Sequence, residues 1–325
     1  MVTTTAPPPG SDEAAATRRR RWPLRLFRVV LVGVILSGVI VQPGELVVIP
    51  LVFVAVVPFE RWFPRHEQPL RRPNLGTDLA YALATPSFAV VTLAVAAVIG
   101  VASLAWVPGL AIRPLVTALP DGLRLVAGVL LFDLAVYWVH RWSHEWPLLW
   151  KVHSIHHSTR HLDWISGLRT HPLDGALLAP PFVLLLAAGF DAEEAGVLTV
   201  VQVLSGLFLH ANVRWRLRPL HRLVATPEFH HWHHSIERDA HCSNYAAFLP
   251  AWDQVFGTYF MPRDRRPAAY GVTDPVPDDI AGQLLHPMRG DDGLWVRMRH
   301  PVRSLRALLG FLRPRPPRTR RRVAP

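Results

Sequence analysis

Residues 123–145 read LRLVAGVLLFDLAVYWVHRWSHE, an apolar run that ends in two histidines four positions apart. The apolar part, residues 123–139, approaches the length of about 20 helical residues that crosses the hydrocarbon core of a bilayer. On a helix, residues four apart share a face, so His140 and His144 point to the same side. This stretch therefore predicts a membrane helix that presents two imidazoles at one end.

Other apolar runs surround this one. Residues 26–41 and 46–59 predict a tight helical hairpin, residues 79–107 predict the clearest span, and a loop over 108–122 leads to the run at 123–139. These runs predict an all-α membrane bundle of about four transmembrane helices. A further pair, 172–190 and 195–209, either spans the membrane or lies in its interface. Basic residues concentrate in the link 60–77 and after residue 139, so the positive-inside rule predicts cytoplasmic N- and C-termini.

Composition agrees with a membrane protein. Half of the 325 residues are hydrophobic, 18% are charged, and the mean hydropathy is +0.20. Residues 1–28 carry six arginines and two acids and residues 301–325 carry eight arginines and no acid, so the tails account for the whole net charge of +11. We therefore expect contact with a membrane surface and no binding of nucleic acid. The single cysteine, Cys242, excludes a disulfide and a thiolate-rich metal site.

Histidines are concentrated in the middle of the chain, where 13 of 17 lie between His140 and His234. Helical spacing occurs in three clusters, because His153, His156 and His157 repeat the pattern of one helix face and residues 230–234 repeat it again. Eight imidazoles converging from three helices would hold two divalent ions. The predicted cluster ligands are His140, His144, His153, His156, His157, His230, His233 and His234. His210, at the end of an apolar run, is the predicted ninth ligand.

Several neighbours are expected to orient the ligands or face the substrate. His231 lies inside the third cluster and is assigned with less weight, His171 is a ligand-orienting or substrate-side residue, and Asn212 follows His210 closely. Acids that accept a hydrogen bond from a ligating imidazole are expected as well. Asp133, Asp163, Asp174 and Glu228 are the candidates, and Asp133 stands out because an ionisable group inside an apolar span is costly.

The ligand type indicates the metal. Imidazole suits zinc, copper, iron and nickel, and nine histidines are too many for one hydrolytic zinc, which takes three protein ligands and water. Two irons open to O2 are the economical interpretation. With the single His210 before Ala211 and Asn212, residues 226–235 (TPEFHHWHHS), and Asn244-Tyr245 followed by 252–258 (WDQVFGT), the chain resembles the fatty acid hydroxylase and sterol desaturase superfamily. Asn74-Leu75 and Asp78-Leu79 extend the resemblance to about residues 74–260.

The resemblance implies a bundle of membrane helices with a cytosolic cap that carries two irons. Composition and the resemblance together divide the chain into a disordered basic leader (1–22), an N-terminal transmembrane hairpin and cytosolic link (23–73), the catalytic domain (74–262) and a Pro- and Arg-rich tail (263–325). The resemblance also implies an external electron donor of the ferredoxin or cytochrome type. The expected activity is O2-dependent hydroxylation of an unactivated C–H bond in a lipid taken from the bilayer, a sterol, a fatty acyl chain or an isoprenoid.

Three alternatives remain at the level of the sequence. A desaturase shares the hydrogen abstraction with a hydroxylase and differs only in the later step. A polyhistidine protein that binds or transports metal is disfavoured because transport pathways usually place ionisable ligands within the spans, whereas these clusters lie at span ends. An inactive scaffold would lack ligands, and all expected histidines are present.

Overall fold

The computed structural model describes residues 11–69, 71–290 and 293–294 of the chain. Within these residues the fold is helical, with isolated bridges at Pro64 with Val213 and Ser235 with Tyr270 in place of β-strands. The α-helices are α1 (Ser11–Val41), α2 (Val48–Trp62), α3 (Leu75–Ala102), α4 (Trp106–Thr117), α5 (Asp121–Glu145), α6 (Pro147–His157), α7 (Pro172–Gly175), α8 (Ala179–Ala188), α9 (Ala192–Leu209), α10 (Pro227–His233), α11 (Ala251–Val255) and α12 (Ile280–Leu285).

Four helices are long and apolar enough to cross a membrane: Leu24–Val41 of α1, α3, α5 and α9. The predicted all-α bundle with about four transmembrane helices is thus confirmed. The set of spanning helices differs from the prediction at two runs. The run at 46–59 forms α2, which has only 15 residues and is not among the four, whereas α9 has 18 residues and is among them. The second half of the pair over 172–209 is therefore long enough to span.

The ends of the first helices lie on the side of the histidines. Arg28 of α1 pairs with Asp279 at 3.2 Å, and Thr77 of α3 donates to the carbonyl of Asp278. Glu60, near the end of α2, accepts from the backbone amide of Trp164, which lies between the second and third histidine clusters. The chain thus leaves this side in α1 and returns to it in α2, as a hairpin predicts. α1 packs mainly against α3, where the Ser87 hydroxyl donates to the carbonyl of Val34.

Two expectations are corrected by the helices. Residues 108–122, predicted to be a loop, form α4 through Thr117, and α4 packs closely on α8 because Gly109 has no side chain to separate it from Ala187. The leader predicted to be disordered over 1–22 is helical from Ser11 onward. Residues 1–10 and the tail from residue 295 lie outside the described residues.

Chain segments from the second half of the protein are fixed against α5. The carboxylate of Asp133, fully buried in the middle of α5, accepts the backbone amides of Phe248 and Leu249, each at 2.9 Å. Tyr137, one turn further along, packs with Tyr245 and Phe256. The histidine end of α5 is thereby joined to the chain that follows α10.

Candidate metal centre

The histidine centre forms where four helices meet. The C-terminal end of α5, the helix α6, the residue after α9, and α10 with the residue that follows it together contribute the nine imidazoles. These fall into two groups, in each of which the nitrogens lie within 4.8 Å of one another. The first group is His140, His144, His153, His157 and His233, and the second is His156, His210, His230 and His234. All nine predicted ligands, and no other described histidine, are brought together.

Nitrogens of the second group are spaced as a metal requires. The Nε2 atom of His210 lies 3.1 Å from those of His156 and His234 and 3.2 Å from that of His230. His230 and His234 bring their Nε2 atoms to 3.0 Å. Four imidazoles bound tetrahedrally at about 2.1 Å from one ion have nitrogens about 3.4 Å apart, close to these values. The group can therefore close around a single ion with small side-chain movements.

In most of the rings, Nδ1 lies within hydrogen-bond distance of an acceptor that fixes the orientation of the ring. His153 Nδ1 lies 2.9 Å from the Asp174 carboxylate. Four other rings face backbone carbonyls with Nδ1: His140 to Tyr245, His156 to Arg169, His210 to Gly206 and His233 to Ser243. Because a carbonyl or carboxylate only accepts, Nδ1 donates its N–H and Nε2 keeps its lone pair for a metal. The backbone thus selects the tautomer that binds metal.

Burial keeps the rings outside the spans neutral. The pKa values of His156, His157, His230, His233 and His234 lie well below the usual 6.5, because burial disfavours the imidazolium and neighbouring histidines add repulsion. Burial lowers the pKa of His210 to about 4. Neutral imidazole is the form that ligates metal, so the centre is ready to bind metal at neutral pH.

Unpaired nitrogens show that the residues present fit a metal ion. Nε2 of His144 and Nε2 of His233 are buried in the first group, and neither has a hydrogen-bond partner among the described residues. A buried polar nitrogen without a partner costs free energy unless something binds it. Two such atoms at the centre of a cluster of neutral imidazoles match a divalent transition metal, for which imidazole is a preferred ligand.

The other predicted histidines lie beside the centre. His231 Nε2 faces the carbonyl of Ala211 at 3.1 Å, and its Nδ1 lies 2.9 Å from the Tyr270 hydroxyl, so both nitrogens are occupied away from the metal groups. His171 accepts the amide of Leu173 at the start of α7 and lines a cavity next to the centre. Neither belongs to a metal group.

Of the predicted acids, only Asp174 contacts a histidine of the centre. Asp163 pairs with Arg72, and Glu228 lies 3.8 Å from Arg266 and 3.9 Å from His221. Asp133 acts through the backbone, since the loop that it holds carries the carbonyl that fixes His140. Asn212 exchanges two hydrogen bonds with the backbone of His66, so it fixes the chain just after His210.

A buried ionic network under the centre was missed by the sequence analysis. The Asp78 carboxylate, fully buried, accepts from Arg72 at 2.7 Å and from Arg169 at 2.6 Å. Arg72 also forms a two-pronged pair with Asp163. Since the carbonyl of Arg169 holds His156, the network positions that ring. The pattern Asn74-Leu75 with Asp78 was noticed, but nothing in the spacing pairs it with Arg169, which lies 91 residues away.

A cavity of about 400 Å³ runs from the centre into the membrane helices. Histidines of both groups, among them His140, His153, His156, His210 and His230, line one end. The rest is bordered mainly by apolar residues of α3, α5 and α9. Two polar atoms on its wall, the Tyr81 hydroxyl and the Gln202 carbonyl oxygen, are buried without a partner among the described residues. The cavity can hold an elongated, largely apolar molecule against both groups.

Fold and centre together define a class: a multi-span helical membrane protein with two adjacent groups of histidines, each of which could hold a metal ion. Residues 125–258 match the family model named fatty acid hydroxylase, and the relatives below are similar to this chain over the same region and support the fatty acid hydroxylase and sterol desaturase superfamily. The match begins in α5 and ends just after α11, and it contains all nine histidines. No solved structure matches the chain.

Named relatives align over the same part of the chain. An ornithine lipid hydroxylase of Rhizobium tropici is 30% identical over 169 residues, which are 52% of this chain and 51% of the relative. The alkylglycerol monooxygenase of Danio rerio is 32% identical over 44% of this chain and 32% of its own length. A Delta(7)-sterol 5(6)-desaturase of Gibberella zeae is 27% identical over 41% of this chain and 37% of its own length. The chain thus spans about half of the length of the first relative and less than half of the other two.

Proposed function

We propose that this protein is a membrane-bound di-iron oxygenase that hydroxylates an unactivated C–H bond of a lipid with O2 and externally supplied electrons. The observation that carries the proposal is the cavity, since one apolar space touches both histidine groups and continues between membrane helices. The names of the relatives support lipid oxidation, because they are hydroxylases, monooxygenases and a desaturase.

Each histidine group would hold one iron. The first group would provide five imidazoles and the second four, with His231, His171, Asp133 and Asn212 shaping the surroundings and binding no metal. When bound, the two irons supply the redox chemistry that activates O2 for attack on a C–H bond. Protein residues do the rest: Asp174 and four carbonyls aim the rings, and the buried network fixes α6 against α3.

The cavity would orient the lipid. An alkyl or isoprenoid chain enters from the bilayer between the spans, so that one carbon lies beside the histidines while water is excluded. Overall, the substrate R–H, O2, two electrons and two protons give R–OH and water. The electrons would come from a separate ferredoxin- or cytochrome-type donor. Because Arg61, Arg65, Arg71 and Arg72 lie on the histidine side, we place that side and both termini in the cytoplasm.

Desaturation is the second candidate, favoured by the sterol desaturase relative. The two reactions share the site and the first hydrogen abstraction, but they differ in their oxygen balance. Hydroxylation puts one atom of O2 into the lipid. Desaturation removes two hydrogens and puts both oxygen atoms into water.

The test is expression of the full chain in iron-replete cells under ¹⁸O2, followed by lipid mass spectrometry. A His233→Ala, His234→Ala variant serves as the matched control, because it removes one ligand from each group. A lipid that gains one ¹⁸O only with the intact centre supports hydroxylation. A lipid that loses two hydrogens without label supports desaturation instead. Identical lipids in both cultures, with two irons bound to the purified wild type, would contradict lipid oxidation.

A further inference from the structure

Four arginines gather beside the end of α9, and we call Arg65, Arg216, Arg218 and Arg266 the arginine cluster. The bridge between Pro64 and Val213 places Arg65 beside the chain that leaves α9. Arg266 reaches the same chain, where its Nη2 donates to the carbonyl of Arg214 at 2.9 Å. Burial lowers the pKa of Arg266, and the positive charges of Arg216, Arg65 and Arg218 lower it further.

The cluster contains donors without acceptors. Nε and Nη2 of Arg65 and Nε of Arg266 are buried and have no hydrogen-bond partner among the described residues. The nearby carboxylate of Glu228 lies 3.8 Å from Arg266 Nε, too far for a hydrogen bond, and it balances at most one of four positive charges. Buried guanidinium donors cost free energy when they are left unpaired. An external anion with several acceptor oxygens would accept hydrogen bonds from them.

The position of the cluster relative to the spans indicates where that anion comes from. The amide of Ala225 donates to the carbonyl of Phe248, and the amide of Phe248 donates to Asp133 in the middle of the α5 span. The chain just before Ala225 therefore lies at membrane depth. Apolar residues of this segment are exposed there, with Leu223 exposed by 64% and Val224 by 49%.

Aromatic rings mark the same level. Trp215, which directly precedes Arg216 in the sequence, contacts Phe59 of α2 and Phe208 of α9 at ring-centre distances of 5.4 and 6.4 Å. Aromatic residues at span ends sit at the headgroup level of a bilayer. Exposed leucines at membrane depth, with aromatic rings and arginines next to them, match the order of tails, interface and headgroups in a lipid leaflet. A soluble protein would not cover the apolar residues beside α5.

We propose that the arginine cluster binds the phosphate of an anionic phospholipid in the surrounding bilayer. The phosphate oxygens would accept from the unpaired nitrogens of Arg65 and Arg266, and the exposed guanidinium groups of Arg216 and Arg218 would add charge. The lipid tails would lie against the exposed residues around Leu223. The site is separate from the histidine centre and does not depend on the oxidation proposed above.

Native mass spectrometry of the detergent-purified full chain tests the site with phosphatidylglycerol and phosphatidylcholine of identical acyl chains. We expect tighter binding of phosphatidylglycerol, and we expect Arg216→Gln with Arg218→Gln to weaken it by about 10- to 30-fold, since a basic residue at a lipid surface contributes about a factor of five. Both side chains are exposed, so the variant keeps its fold. Arg71→Gln with Arg160→Gln removes two exposed arginines outside the cluster and is expected to leave binding unchanged.

A second variant addresses the buried donors. Arg65→Gln with Arg266→Gln is expected to abolish the rise in melting temperature that phosphatidylglycerol gives to the wild type, while its metal content stays the same. Equal binding of the two lipids, or equal loss in the cluster and control variants, overturns the proposal. So does a full effect of millimolar inorganic phosphate, which would identify a soluble anion as the ligand. Loss of affinity for an acidic ferredoxin, with lipid binding intact, would make the cluster a protein-docking site instead.

Discussion

The Nδ1 atom of His153 lies 2.9 Å from one oxygen of Asp174 and 3.1 Å from the other, and this is the contact between a carboxylate and the nine-histidine centre. Asp174 belongs to the short helix α7, outside the three histidine clusters. The carboxylate fixes the ring so that the opposite nitrogen faces the first histidine group. Its position between the centre and the cavity makes it the first residue to test.

Asp174→Asn is expected to lower the metal affinity of the first group by about 10- to 100-fold, the usual effect of losing a carboxylate that orients a ligating histidine. Titration of the apoprotein with Fe(II) under anaerobic conditions measures the loss. Asp264→Asn, at an exposed loop position, is the matched control and should bind like the wild type. Unchanged affinity in Asp174→Asn would show that the carboxylate does not support the ligand.

Metal should be lost from one group at a time. His144→Ala removes an imidazole whose unpaired nitrogen lies in the first group, and His230→Ala removes one of the four imidazoles of the second group. Each variant is expected to retain about one iron per chain where the wild type retains two, because the groups share no ligand. Elemental mass spectrometry of purified protein gives the count. The exposed His241 provides the control variant His241→Ala, and a centre that loses both metals in each single variant would contradict independent sites.

The buried network should contribute strongly to stability. Asp78→Ala leaves Arg72 and Arg169 buried without their shared carboxylate, and removal of one partner from a buried ion pair costs about 3–5 kcal/mol. We expect a clear fall in melting temperature together with weaker metal binding through His156, whose ring the Arg169 carbonyl holds. Asp121→Ala, at the exposed start of α5, should change neither. A wild-type melting temperature in Asp78→Ala would argue against the network.

Gln202 offers a test of the cavity. Its side-chain carbonyl is buried on the cavity wall without a partner in the part of the chain that the structure describes, whereas the side-chain amide of Gln254 donates to the backbone carbonyls of Arg222 and Pro250. Gln202→Leu is therefore expected to raise the free energy of unfolding by about 1–3 kcal/mol, the usual cost of an unpaired buried group, and Gln254→Leu is expected to lower it. If Gln202 contacts a polar group of the lipid, turnover falls in the same stabilised variant. Destabilisation by Gln202→Leu would mean that its oxygen is already paired.

Glu60 predicts a pH dependence. Burial raises the pKa of Glu60 from 4.5 to about 7, although hydrogen bonds from the backbone amides of Asn212 and Trp164 lower it. The folded state therefore binds a proton more tightly than the unfolded state, so this carboxyl makes the protein less stable as pH rises from about 4.5 to 7. Glu60→Gln keeps the acceptor oxygen without the charge. Its melting temperature should match the wild type near pH 4.5 and exceed it at pH 8, and an excess that does not grow with pH would refute the shift.

Spacing along the chain was enough to predict eight of the nine histidines. A residue three or four positions away on a helix lies on the same face, so the clusters at 140–144, 153–157 and 230–234 could be recognised from the sequence alone. His210 was harder, because a lone histidine has no partner in sequence, and its position at the end of an apolar run was the only physical signal. The all-helical class followed from run length and composition.

Other expectations were wrong or stayed open because they depend on contacts between residues that are far apart in the chain. Residues 108–122 contain prolines and glycines and were predicted to be a loop. Most of them instead belong to α4, which packs closely against α8 at Gly109. Asp133 carried the signal of a buried charge, but its partners are backbone amides 115 and 116 residues away. Asp174 and Asp163 looked alike in sequence, and only the fold decided that the first contacts a ligand and the second an arginine.

The sequence by itself determined the membrane class, the chemistry of the ligands and their grouping into three clusters along helices, because these depend on composition and on the periodicity of a single helix. Tertiary structure decided which histidines share a metal group: His153 and His157 belong to one group, while His156, between them, joins His210 and His230 in the other. It also decided which carbonyl or carboxylate fixes each ring. Such contacts join residues far apart in the chain, and local periodicity contains no information about distances across the fold.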